Sequence, residues 1–322
     1  MVSKKSICVV GAGQWGMNHI RTLHELGVLG GVVDIDSKKL DSVREQFPNV
    51  SIFANVEDAI AVGFDGFTVV TSPAAHYTIG KVILEAGYPV LIEKPMALEI
   101  GHAEELVDLA ERKNLSLMVG HLLLFHPAIR KIKELMNCGR IGQLQYLYSN
   151  RLNLGQVRTE ENVLWSLAPH DLSVFQYLVG EAPSEITTHG ASFVTPGVHD
   201  TTITILQYPG NVMGHIFVNW LHPFKEHRLV IVGSQGMISF VDSDKGKPLR
   251  LHDKTVQVIN GQLEKKDGAV EEVEYDQTLP LTNELSYFLH CTDGVQPKIA
   301  NGQNGLDILI TLKRATESLM RD

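Results

Sequence analysis

Cysteine is scarce: Cys8, Cys138 and Cys291 are the only three in 322 residues, odd in number and far apart. They build no disulfide framework and no thiolate metal site, and they fit a reducing cytoplasm in which each is an ordinary buried thiol. Basic charge is short as well, 28 Lys and Arg against 37 Asp and Glu, for a net charge of -9. A phosphate backbone needs a basic face, so nucleic acid is not the expected partner. No apolar run approaches the roughly eighteen residues that a membrane-spanning helix needs. The opening Met1–Ser6 leads straight into a strand-like run, without the apolar core of a secretory leader. Internal repeats and low-complexity tracts are also missing. What remains is a globular composition, 44% hydrophobic and 20% charged, on a chain long enough that two domains are the default.

One stretch organises the rest. Ser6–Val10 is an apolar run of strand length, followed by Gly11-Ala12-Gly13-Gln14-Trp15-Gly16. A helical segment from Met17 to about Gly27 comes next, then Gly31–Val33 as a second strand ending in Asp34. Strand, glycine turn, helix, strand and acid, with Asp34 eighteen positions past Gly16, is the dinucleotide-binding arrangement. Gly11 permits the turn, Gly13 lets backbone approach a pyrophosphate, and Gly16 lets the helix lie close to the strand. The pyrophosphate sits on the helix's free N–H groups. Asp34, placed to accept from ribose hydroxyls and to repel a 2′-phosphate, predicts NAD(H) over NADP(H). Ser37, Lys38 and Lys39 are the residues nearby that could instead hold a phosphate.

Strands and helices then alternate through residue 120. Helical patterns cover about 37–47, the segment opened by Asn55, 74–86 and 99–113; strand patterns cover 51–54, 67–70, 89–92 and 116–119. That alternation predicts a doubly wound parallel sheet, a Rossmann domain over 1–122, with ligands at the carboxyl ends of the strands. From 123 to 322 the pattern changes. Helices near 127–137 and 168–179 are followed by strands at 185–192, 201–207, 212–219, 227–232 and 237–241, without helices between them. Residues 243–277 read as edge hairpins or loops, and helices at about 282–292 and 303–320 close the chain. The expected second domain is α+β with an open, mostly antiparallel sheet. Its strands at 201–219 carry an apolar face with Ile203, Ile205, Val212 and Phe217, which predicts a homodimer or homotetramer.

Two clusters can do chemistry. Glu93-Lys94-Pro95 puts a lysine at the mouth of a parallel strand, where its ammonium can hydrogen-bond a substrate oxygen, and Pro95 admits a cis bond. Trp165–Asp171 contains His170, a side chain suited to accept a proton near neutral pH. Pro169 there fits the first turn of a helix, with Ser166 or Ala168 near the cap. A solvated Lys94 and a His170 that only packs a helix start are the plain alternatives.

At these residues the sequence resembles the Gfo/Idh/MocA oxidoreductases, over nearly its whole length. The resemblance rests on Gly11–Gly16, Thr71–His76, Glu93–Pro95, the His170 segment and Asn283-Glu284. The strings Asn150–Gly155, Leu164–Asp171 and Asn219–Lys225 resemble a branch associated with nucleotide-linked amino sugars and surface polysaccharide. The resemblance implies an NAD(P)-dependent dehydrogenase acting on a sugar CH–OH group. Lys94 and His170 become the catalytic pair. Thr71, Ser72, Pro73, His76, Glu93, Lys94 and His121 join Gly11, Ala12, Gly13, Gln14, Trp15, Gly16 and Asp34 around the cofactor. Arg151, Asn153, Arg158, Asn162 and Trp165 join Lys94 and His170 on the substrate side, and no metal is implied. The family's Asp four residues before the catalytic His is Ser166 here, and Leu122–Leu124 replaces polar residues after the strand near 120. The implied substrate is a nucleotide-activated sugar; a free sugar, cyclitol or diol is the next reading. A cofactor-sensing regulator on the same fold is the third.

Overall fold

The computed structural model describes residues 5–159 and 161–320; most of the opening Met1–Ser6, where no secretory leader is expected, lies outside them. The chain divides into two compact units, one holding residues up to 125 together with 278–309, the other 126–277 together with those from 310 onward. Residues 278–309 thus join the first unit, whereas the sequence runs the second domain unbroken from 123 to 322.

In the first unit six parallel strands, β1 (Ile7–Val10), β2 (Leu29–Val33), β3 (Ser51–Phe53), β4 (Gly66–Val69), β5 (Val90–Glu93) and β6 (Leu117–Gly120), lie in the order 3-2-1-4-5-6. Every residue of β1, β4, β5 and β6 is buried, as expected for strands covered on both faces. Helices α1 (Gln14–Glu25), α2 (Ser37–Gln46), α3 (Val56–Val62), α4 (Pro73–Glu85) and α5 (Ile100–Lys113) make the crossovers. Asp36 caps α2 by accepting from the Lys38 N–H, and Asn55 caps α3 by accepting from Asp58.

The second unit is an eight-stranded mixed sheet. Its strands are β7 (Leu144–Leu154), β8 (Glu185–Ala191), β9 (Thr201–Tyr208), β10 (Val212–Asn219), β11 (Leu221–Gly233), β12 (Met237–Val241), β13 (Leu249–Ile259) and β14 (Gln262–Glu272). The order is 14-13-12-11-7-10-9-8, and only the β7–β10 pair is parallel. Helix α6 (Pro127–Asn137) precedes the sheet, and α7 (Val163–Val179) packs on β7, β9 and β10. Helices α8 (Pro280–Cys291) and α9 (Gly302–Leu319) close the chain.

One local expectation changes and another sharpens. Helix α7 starts at Val163 because the Asn162 side chain accepts from the Trp165 N–H at 3.1 Å; neither Ser166 nor Ala168 caps it. Pro169 is therefore interior, and it withholds the N–H that Trp165 carbonyl would accept. Residues 249–272 form one long hairpin at the sheet edge, the hairpin alternative of the sequence reading. Its two-residue turn, Asn260-Gly261, has positive φ at both positions, 53° and 79°, the Asn-Gly turn whose twist suits a hairpin.

Among the described residues, no helix is long and apolar enough to cross a membrane.

Candidate active site

The strand order reverses between β1 and β4, and in such sheets the crevice for a ligand opens there, at the strands' carboxyl ends. Two helices begin at that edge, α1 after Gly13 and α4 after Ser72, and both lack a side-chain cap and an acid in the first turn. Their free N–H groups and positive dipole ends are available to an anion, in contrast to the capped α2 and α3. The three glycines are separable by what a Cβ would meet. At Gly11 (φ 106°) it would fall 2.5 Å from the Val70 carbonyl oxygen, and at Gly16 2.0 Å from that of Gly11. At Gly13 it meets nothing within 4 Å, so the space in front of that peptide is open to a ligand. Asp34 is buried and fixed: it accepts from Ala12 N–H at 2.7 Å and Asp36 N–H at 2.9 Å, with Lys39 Nζ at 3.5 Å. These features fit a dinucleotide: Gly11–Gly16 for its pyrophosphate, Asp34 for a ribose.

Further along the same edge, the Glu93 carboxylate is a hub. One oxygen accepts from Trp15 Nε1 at 2.8 Å and lies 3.0 Å from His19 Nε2; the other accepts from the Lys94 N–H at 3.2 Å. Burial opposes its ionisation, but His19, Trp15 and Lys94 outweigh that and hold it below the ordinary carboxylate value. Trp15 and His19 lie four residues apart, on one face of α1. Gly120 makes room, since a Cβ there would sit 2.7 Å from the Glu93 carboxyl carbon. Lys94 is half-buried, and the Lys94–Pro95 peptide is cis. His76 ties this corner to the β4 turn, its ring nitrogens 2.8 Å from the Pro95 carbonyl and 3.1 Å from that of Thr71. Burial holds its pKa below the ordinary value, so the neutral ring donates to one of the two carbonyls. His121 is fully buried, and burial lowers it to about 4; neither ring nitrogen has a partner among the described residues. Of Leu122–Leu124, which replace polar residues of the family pattern, Leu124 belongs to the core.

In the second unit the hub is Asp171, the residue after His170 on α7. Ser149 Oγ donates to it at 2.6 Å, and Arg151 grips it with Nε at 2.8 Å and a second nitrogen at 2.9 Å. Only 3% of the Asp171 side chain is exposed. Burial works against the Arg151 charge, but Asp171 more than compensates and raises its pKa. His227, 3.5 Å from Arg151, is pushed down to about 4, mainly by burial and then by that guanidinium. The other substrate-side residues are placed as follows. Asn162 caps α7, Trp165 donates from Nε1 to Thr316 at 2.9 Å, exposed Arg158 pairs with Glu161 at 2.6 Å, and Asn153 lies two residues past Arg151 on β7. Asp200 passes unnoticed in the sequence: it accepts from buried Trp220 Nε1 at 2.5 Å and from the N–H groups of Phe193 and Val194. His19 passes unnoticed as well, although its i,i+4 spacing from Trp15 is a signal that could have found it; Glu284 carries part of the family resemblance but no role was read for it.

Residues 5–121 match the oxidoreductase family with the NAD-binding Rossmann fold, and residues 129–239 match the GFO/IDH/MocA C-terminal domain, together well over half of the chain. The chain is 25% identical over 308 residues to UDP-N-acetylglucosamine 3-dehydrogenase of Acidithiobacillus ferrooxidans, covering 94% of this chain and 93% of that protein. The solved structure of that enzyme aligns over 98% of each chain with a TM-score of 0.87. Myo-inositol dehydrogenase Hyg17 of Streptomyces leeuwenhoekii is 26% identical over 72% of this chain and 75% of its own. The WlbA dehydrogenase of Bordetella pertussis, solved with NADH and UDP-GlcNAcA, shares the fold at a TM-score of 0.79 and 19% identity, over 99% of this chain and 97% of its own. With both matched domains in sequence order and the glycine turn intact, the chain belongs to the GFO/IDH/MocA family of NAD-binding oxidoreductases.

Proposed function

We propose that the protein is an NAD(H)-dependent dehydrogenase of a secondary alcohol on a sugar, and that the sugar is nucleotide-activated. The observation that carries the reading is the full-length similarity, at 25% identity, to a UDP-N-acetylglucosamine 3-dehydrogenase. Gly11–Gly16 and the α4 start at Thr71–Pro73 would hold the dinucleotide, with Asp34 on its ribose and Trp15, His76, Glu93 and His121 bordering the rest. Bound NAD supplies a hydride acceptor. Lys94, its backbone fixed by Glu93, donates a hydrogen bond to the reacting oxygen and stabilises charge developing there. His170, whose helix is fixed to β7 through Asp171, accepts the hydroxyl proton. Arg151 serves this role indirectly, by holding Asp171. Asn153, Arg158, Asn162 and Trp165 remain the substrate-side set, on β7 and around the start of α7. The similarity to a myo-inositol dehydrogenase favours a free cyclitol as the second reading.

The test is single-turnover kinetics of Lys94→Ala, His170→Ala and the double variant, on UDP-N-acetylglucosamine and on myo-inositol. Each single substitution should lower turnover by about 10²–10⁴, the usual contribution of acid–base catalysis. NADH affinity should stay within a few fold. The double variant should lose far less than the product of the single losses, because both residues serve one proton transfer. Near-normal turnover in His170→Ala would overturn its role and make Asp171 the next proton acceptor to test, ahead of His121.

A further inference from the structure

Glu284, on α8, is completely buried, and neither of its carboxyl oxygens accepts a hydrogen bond among the described residues. Buried polar atoms without partners are costly and rare in folded proteins, so such a residue calls for a reason. Helix α8 packs on α1 and on the 122–125 turn. The turn brings only Leu and Phe, while α1 brings His19, whose Nδ1 is also without a partner among the described residues. The charged group that Glu284 feels is Glu93, and His121 and Lys94 lie around that same carboxylate. Two carboxyls in one buried site do not both ionise. The hydrogen bonds decide which one carries the charge. Glu93 has donors from Trp15 and the Lys94 peptide with His19 beside it, and Glu284 has none among the described residues.

We propose that Glu284 is a positioning residue kept as a neutral carboxylic acid, so that the cluster beneath Lys94 holds a single negative charge, on Glu93. As an acid it has an O–H to give and repels nothing. As a carboxylate it would set a second charge beside Glu93 and loosen the grip on Trp15, His19 and the Lys94 peptide. Burial and the Glu93 charge both push Glu284 well above the ordinary carboxylate value, in agreement with this assignment.

The sign of the pH effect follows. The unfolded chain releases this proton at the ordinary carboxylate value while the folded chain keeps it, so Glu284 lowers stability progressively as pH rises above that value. The variant Glu284→Gln, an isostere of the neutral acid, lacks this dependence. Its thermal midpoint relative to wild type should therefore climb steadily between about pH 5 and about pH 9. The infrared spectrum of the wild-type chain should show a protonated-carboxyl carbonyl band at neutral pH, absent in Glu284→Gln. A flat difference in midpoint, or no such band in wild type, overturns the proposal; the band decides the matter even if the variant folds poorly. The third readout rests on the dehydrogenase reading: turnover of Glu284→Gln should fall less steeply on the alkaline side than that of wild type. If the band and the midpoint behave as stated and no turnover is found with either protein, the dehydrogenase reading has failed and the buried proton stands.

Discussion

Each unit hangs a functional candidate on a buried carboxylate next to it in sequence, and the two do so by different means. Glu93 precedes Lys94 and is held by an indole, an imidazole and a backbone N–H; Asp171 follows His170 and is held by a guanidinium and a hydroxyl. The first arrangement depends on side chains arriving from another element, α1, and on the next backbone N–H. The second cancels charge with charge at short range, and so becomes intolerant of losing either partner. The sheets differ in the same spirit. The first unit's β1, β4, β5 and β6 are buried on both faces, whereas in β9 the buried and more open residues alternate.

The comparison breaks most visibly at Asp171. Replacing it by Ala strands the Arg151 charge in a site where 12% of its side chain is exposed, and should cost about 3–5 kcal/mol in urea unfolding. Glu93→Gln keeps an acceptor for Trp15 and should cost about 1–3 kcal/mol. Equal losses would show that the Glu93 charge matters as much as that of Asp171. The double variant Arg151→Met with Asp171→Leu should recover much of the loss, since an apolar pair of similar volume often matches a buried ion pair.

The glycine turn allows a sharper separation of folding from binding. Gly16→Ala drives a Cβ to 2.0 Å from the Gly11 carbonyl oxygen, so its thermal midpoint should drop. Gly13→Ala meets nothing within 4 Å; its midpoint should hold while NADH affinity falls at least tenfold, about 1.4 kcal/mol. A Gly13→Ala protein with unchanged affinity would remove the pyrophosphate from that turn. For cofactor choice, the carboxylate at Asp34 should favour NADH over NADPH in fluorescence titration. Tighter NADPH binding would shift the assignment to Lys39, already 3.5 Å from Asp34.

The smallest effect on the folded chain is expected on the open side of the second sheet. Helix α7 packs on β7, β9 and β10, while Ile203, Ile205 and Met213 are 45%, 41% and 41% exposed. Tyr148 and His215, paired across β7 and β10, stack with ring centroids 5.1 Å apart. An apolar sheet face of this kind invites a second copy of the chain. Ile205→Lys should leave the thermal midpoint of the monomer nearly unchanged and shift sedimentation of the wild-type assembly toward monomer. A wild-type protein that sediments as a monomer at micromolar concentration would end this prediction.

Local chemistry made part of this readable. The six parallel strands appear in the sequence as short apolar runs whose boundaries hold to within a residue or two, and for β1, β4, β5 and β6 burial on both faces demands continuous hydrophobicity. The need for glycine at Gly11 and Gly16 was legible because it is a backbone need, fixed by a turn a few residues long. The start of α7 was misplaced because Pro169 imitates a first-turn proline, while the real cap, Asn162, is an ordinary residue in a polar stretch. The sequence left 243–277 open between edge hairpins and loops although Asn260-Gly261 carries a hairpin signal, because the residues of β14 are charged and exposed rather than alternating.

The parallel sheet, the glycine turn and the two neighbourhoods of Lys94 and His170 were legible before any fold was known, since each is written in contiguous residues. Only the tertiary structure decided that Glu93 is shared among Trp15, His19 and the Lys94 peptide. It alone turned Arg151 inward onto Asp171, returned α8 to the first unit and buried Glu284 within reach of the Glu93 charge. Those pairings join residues as far as 191 positions apart in the chain, and no local pattern records which buried donor a carboxylate will find.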